Sequence, residues 1–175
     1  MKGFGATLLI VGLIATIIMG FMSVNWWYDY KSNCGDYLKL AADAPSIEKS
    51  AEFLNKSVSY METHGLTSGN SAYFFHTPEN DVGIWYNQAK GSLAGLDSLL
   101  AQQQRDPKSV TNVDRSNALI KVRETLLDEG KSGVGVTEPK LITWFPSQWG
   151  ITILWIVCVL LLGIGVLFLY LAFNY

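Results

Sequence analysis

The chain has 175 residues, 49% of them hydrophobic and 16% charged, with a mean hydropathy of +0.20 and a formal net charge of −2. That balance is too apolar for an average soluble domain, and it offers no basic face, so no nucleic-acid partner is expected. Cys34 and Cys158 are the only cysteines, which excludes a disulfide framework.

The apolar excess sits at the two ends. Phe4 to Val24 carries no charge, and these 21 residues make about 32 Å of helix at about 1.5 Å per residue. Trp149 to Tyr175 is uncharged as well. Each run is expected to cross a bilayer, giving spans over residues 1–25 and 149–175 around a domain of residues 26–148. The first run is longer than the apolar stretch of a signal peptide and does not close on small residues, so a retained span is expected rather than a cleaved leader. All 15 acidic residues and every basic residue but Lys2 fall between the runs. With Lys2 and the free amine on the N-terminal side, the positive-inside rule puts both tails in the cytoplasm and the domain outside it.

Within the first run Gly12, Thr16 and Gly20 recur every fourth residue. This places small side chains on one face, where another helix can approach closely. Gly163 and Gly165 in the second run fit the same approach. Trp26, Trp27 and Tyr28 follow the first span and Trp144 and Trp149 bracket the start of the second; their amphipathic rings suit the bilayer interface, so they are expected to act as anchors.

A short helix is expected over Gly35 to Ala42. Ser46 can then cap a helix whose apolar residues Ile47, Ala51, Leu54, Val58 and Met61 form one stripe, ending at the glycine stop Gly65. Leu66 to Asn80 is rich in Ser, Gly, Asn and Thr around Tyr73, Phe74, Phe75 and His76, which predicts an irregular loop with exposed aromatic rings, a candidate surface for a partner. Thr77 and Pro78 are expected to open the next helix, with Val82, Trp85, Ala89, Leu93, Leu96 and Leu100 facing inward to about Gln104. Asp106 and Pro107 break it. A third helix is expected from Thr111, with Val113, Leu119, Val122 and Leu126 inward until Gly130, and Lys131 to Pro146 then returns as strand or coil. The fold class predicted is all-α: two transmembrane helices flanking a soluble bundle of three to four helices with one irregular loop.

No constellation of catalytic residues is present. Gly130-Lys131-Ser132 resembles the end of a phosphate loop, but Thr125 stands where that motif needs glycine and a helix is expected before it. His64, His76 and Cys34 lack the paired spacing of a metal site, and neither histidine belongs to a nucleophile motif. Asn55-Lys56-Ser57 matches a glycosylation sequon but falls within a regular helix. The chain is therefore expected to be no enzyme and to hold no cofactor or metal.

Leu66-Thr67-Ser68-Gly69, then Thr77-Pro78 with Asp81 and Trp85-Tyr86-Asn87, and later Ser116-Asn117 with Arg123-Glu124-Thr125-Leu126-Leu127-Asp128, resemble in order and spacing a family of bacterial two-span inner-membrane proteins. The resemblance covers most of the middle domain and implies a bacterial inner-membrane setting; it brings no activity, cofactor or assigned site. The expected function is that of a scaffold, an accessory subunit or a self-assembling unit, whose partners are the lipid bilayer and either further copies in a homo-oligomer or another membrane protein. A sensory or ligand-binding module signalling through a separate protein is the alternative.

Overall fold

The computed structural model describes residues 2–130 and 133–174. It divides into two compact units, one of residues 1–28 with 147–175 and one of residues 29–146.

The first unit is a pair of helices, α1 (Lys2–Tyr30) and α6 (Gln148–Asn174). Both are long and apolar enough to span a membrane. They pack antiparallel: a Cβ added at Gly12 would lie 3.0 Å from the Leu162 side chain, and one added at Gly165 would lie 2.8 Å from Leu9. Near the chain ends, the rings of Phe4 and Phe168 meet edge to face at 5.4 Å. Gly5, Gly12 and Met19 on α1, and Ile151, Cys158 and Gly165 on α6, are buried at seven-residue intervals. That period keeps one narrow seam of each helix turned toward the other. The remaining faces present Ile10, Leu13, Ile17, Leu154, Val157 and Leu160 outward, an apolar surface of the kind a bilayer can cover.

The second unit is a helical domain. The chain does not break after α1: a π-helical turn, Lys31–Gly35, carries it directly into α2 (Asp36–Ala42). Ser46 caps α3 (Ile47–Thr63), its side chain accepting from the Lys49 amide at 3.3 Å. All five stripe residues of α3 are buried. Ser50 and Ser57 share that face, where they allow α2 and the π turn to come close, and each is satisfied: the Ser50 hydroxyl donates to the Ala41 carbonyl at 2.8 Å and that of Ser57 to the Cys34 carbonyl at 3.0 Å. After α3, Gly65 takes the left-handed conformation (φ 70°), and the Leu66 amide reaches back to the Met61 carbonyl at 2.7 Å.

The segment before α4 (Val82–Arg105) differs from the expectation. Pro78–Asn80 forms a separate 3-10 turn, and the cap of α4 is Asp81, which accepts from the Ile84 amide at 2.9 Å. A carboxylate at that position outcompetes the Thr77 hydroxyl, which makes no cap bond. α5 (Asn112–Leu126) opens on a capping box between Thr111 and Asp114. The Thr111 hydroxyl and then its amide, both donating to Asp114 Oδ2, hold the Asp114 carboxyl below the ordinary range. Val122 and Leu126 are buried as expected, but Val113, in the first turn, is 65% exposed.

The third helix also ends earlier than its sequence suggests. Leu127–Gly130 is a strand, β1, paired antiparallel with β2 (Gly133–Val136) in the register Leu127 opposite Val136. Lys131 and Ser132, with which the phosphate-loop comparison ended, lie outside the described residues. α3 packs between α2 and α4, and α5 lies across α4 and α2. Leu38, Leu54, Met61, Val82 and Leu96 form the fully buried centre.

Candidate functional site

Three features of the helical domain can meet another molecule or hold the two ends of the domain together, and each arises from a local property of the sequence.

The first is the irregular loop. Its base is pinned: the Val82 amide donates to the Gly69 carbonyl at 2.9 Å, the Ser71 amide to the Asn80 carbonyl at 3.0 Å, and Asn70 bridges to Asp81. From this base Phe74 and Phe75 project, 77% and 82% exposed, with Tyr73 half-buried and His76 exposed. The structure thus brings the four aromatic loop residues together at one tip. His64 is elsewhere, its ring stacked on Tyr60 at 3.9 Å and its Nδ1 3.0 Å from the Tyr60 carbonyl.

The second is a groove of about 590 Å³ between α4 and α5, lined by Asn87, Gly91, Gly95, Leu96, Asn117 and Val122. Its floor is apolar and its rim polar. Gly91 and Gly95 are one helical turn apart, and a Cβ at either would meet nothing within 4 Å. Nothing in the expected site residues pointed here. The available signal was the pair of glycines inside an otherwise regular helix, since each costs about 0.5–1 kcal/mol relative to alanine.

The third is a polar cluster at the start of the domain. The Tyr30 hydroxyl, buried in the core, donates to Glu138 Oε2 at 2.5 Å. Glu138 presents much of its surface to solvent, but this oxygen is tucked inward, also 3.8 Å from where a Gly35 Cβ would lie. Desolvation pushes the Glu138 carboxyl above its ordinary value, partly opposed by the Tyr30 hydrogen bond. Because the folded value is the higher one, this group's contribution to stability is full below the ordinary carboxyl value and is lost as pH rises through the raised one. Glu138→Gln keeps an acceptor for Tyr30 and removes that charge, so it should flatten this part of the pH profile, matching wild type below the ordinary carboxyl value and equalling or exceeding it at neutral pH. Glu138→Ala orphans a buried hydroxyl and should cost about 1–3 kcal/mol, read as a shift in the urea midpoint of the full chain in detergent. Equal behaviour of the two variants would mean the hydrogen bond holds nothing.

On the opposite side of α3, Glu62 Oε1 accepts from the Tyr86 hydroxyl at 2.6 Å and from Lys90 at 2.9 Å, and these two hydrogen bonds lower the Glu62 carboxyl's pKa. This set, at the edge of the core, joins α3 to α4. Among the described residues no group of three potential metal ligands converges.

Of the small residues singled out in α1, Gly12 lies against α6, and the Thr16 hydroxyl donates to the Gly12 carbonyl at 2.8 Å. A Cβ added at Gly20 or Gly163 would meet nothing within 4 Å among the described residues. The face that packs is therefore rotated from the four-residue repeat toward Gly5, Gly12 and Met19, and its closest approach is at Gly165. Trp27, Tyr28 and Trp149 are exposed, while Trp26 and Trp144 are half-buried.

Comparison of the chain with protein-family models, with curated proteins and with solved structures returns no match.

Proposed function

We propose that this chain is a non-enzymatic protein of a bacterial inner membrane, with both termini in the cytoplasm, that holds its helical domain on the outer side as a scaffold, accessory subunit or self-assembling unit. The two terminal helices that are long and apolar enough to span a bilayer support the setting. The observation that carries the assembly role is the groove between α4 and α5. Gly12 and Gly165 are each explained by a helix of the same chain that needs the space, whereas Gly91 and Gly95 weaken α4 and, among the described residues, no neighbour uses the room they leave. A ridge of side chains from another helix would fit that space and cover the apolar floor.

One variant tests orientation and assembly together. Gly91→Cys in the full chain, treated in intact spheroplasts with a membrane-impermeant maleimide carrying a photoreactive group, should label from outside and, on illumination, give a discrete adduct heavier than the chain. Labelling only after the membrane is opened would invert the orientation. Labelling without any adduct would remove the groove as an assembly surface.

The ligand-binding alternative draws on the same groove, whose volume falls within the ordinary range for small-molecule sites, about 300–1,000 Å³. It predicts instead that a small molecule carried through purification blocks the labelling of Gly91→Cys and raises the melting temperature.

A further inference from the structure

The irregular loop occupies a defined end of the helical domain, and that end can be located from contacts within the domain alone. α3 runs back to the start of the domain, where the Tyr60 hydroxyl donates to Asp29 Oδ2 at 2.8 Å. Asp29 is the first residue of the unit. The base of the loop packs against its last residues, for a Cβ at Gly69 would lie 3.0 Å from Phe145 Cζ. Pro146 closes the unit, and Ser147 begins the C-terminal segment of the other one. The loop therefore grows from the end of the domain at which the chain both enters and leaves.

Its composition is unlike that of the rest of the domain. Between Glu62 and Glu79 there is no Asp, Glu, Lys or Arg, the longest such stretch between Asp29 and Pro146. At its tip, Tyr73 and Phe74 pair at 6.4 Å between ring centroids, and Phe75 stands 82% exposed beside His76. Neighbouring large apolar rings held in water by a pinned loop are costly. An uncharged aromatic tip is what a lipid headgroup region accommodates, since ring faces bury among acyl carbons while the Tyr hydroxyl and the imidazole remain hydrated.

We propose that the Tyr73–His76 tip is a lipid-binding element that inserts into the interface of the bilayer spanned by α1 and α6, giving the domain a third attachment besides its two covalent ones. This rests on the membrane reading above.

The test uses the full chain with Phe75→Cys carrying a nitroxide, reconstituted in phosphatidylcholine vesicles, with Ser98→Cys on the exposed face of α4 as the aqueous reference. The unsubstituted chain, labelled in the same way, corrects for Cys34 and Cys158, both of which are buried. The inference expects the label at position 75 to be several-fold more accessible to oxygen relative to a water-soluble nickel chelate than the label at position 98. Equal accessibility at the two positions overturns it. Protection from both reagents also overturns it, with dipolar broadening identifying a second copy as the occupant and its absence identifying folding against protein. Vesicle flotation after an alkaline wash separates the two levels of the argument. A chain that does not float removes the membrane reading itself, while a floating chain with an aqueous label at position 75 removes only the lipid-binding loop.

Discussion

Trp85→Ala should lower the stability of the helical domain by about 3–5 kcal/mol, the range for truncating a buried aromatic side chain. Trp85 is 5% exposed on the inner face of α4 and belongs to the core cluster that joins α2, α3, α4 and α5. Its removal leaves a cavity that regular helices on several sides cannot collapse to fill. With a denaturant slope of about 2 kcal/mol per molar, the urea midpoint of the domain in the detergent-solubilised chain should fall by roughly 2 M. The indole Nε1 is buried without an acceptor among the described residues. Trp85→Phe therefore removes an unsatisfied donor along with some volume, and it should cost much less than alanine. A wild-type midpoint for Trp85→Ala would place the ring outside the core and undo the packing described for α4. Equal losses for Phe and Ala would mean that the Nε1–H has a partner after all.

Gly165→Leu should separate the two terminal helices. The Cβ it adds would lie 2.8 Å from Leu9 Cγ and 2.9 Å from the Leu9 amide nitrogen. The second of these is backbone and cannot rotate away. Even Gly165→Ala must push the helices apart, with overpacking costs of about 1–3 kcal/mol, and leucine adds a branched side chain to the same point. Unfolding of the full chain in mixed micelles of increasing SDS fraction should shift to lower SDS in the order wild type, Gly165→Ala, Gly165→Leu. Gly163→Ala, two residues away but with open space around it, should behave as wild type. A wild-type profile for Gly165→Leu would mean that α1 and α6 do not pack through this seam.

How much of this was legible in the sequence follows the range of the interactions involved. Charge-free runs, caps and stripes are local. The terminal helices, the Ser46 and Thr111 caps and the buried face of α3 all follow from residues within a turn or two of each other. The cap of α4 was misassigned because Thr77-Pro78 and Asp81 offer the same kind of signal four residues apart, and only the carboxylate ends up in reach of the Ile84 amide. The continuity of α1 through Lys31–Gly35 was not legible because the apolar run ends at Val24 and the short helix was expected to start separately at Gly35, which instead takes a helical conformation continuous with the π turn. The strand Leu127–Gly130 was hidden because it is defined by pairing with Gly133–Val136, and pairing of this kind depends on contacts that local propensity does not encode.

The candidate surfaces divide in the same way. The loop aromatics stand out because they interrupt a polar segment. Gly165 does not stand out, since a glycine is ordinary in an apolar helix until Leu9 is placed beside it. The groove of Gly91 and Gly95 becomes visible only when α5 is laid alongside α4.

The central claim is that this is a membrane-held domain built to join other protein. Native mass determination of the chain released with its surrounding lipid, without harsh detergent, tests it most directly. The account predicts a discrete species heavier than the 19.4 kDa of one chain, either a multiple of that mass or a sum with a second polypeptide, and a return to the single-chain mass when Gly91→Trp fills the groove. A lone chain at 19.4 kDa under conditions in which the helical domain remains folded would contradict it.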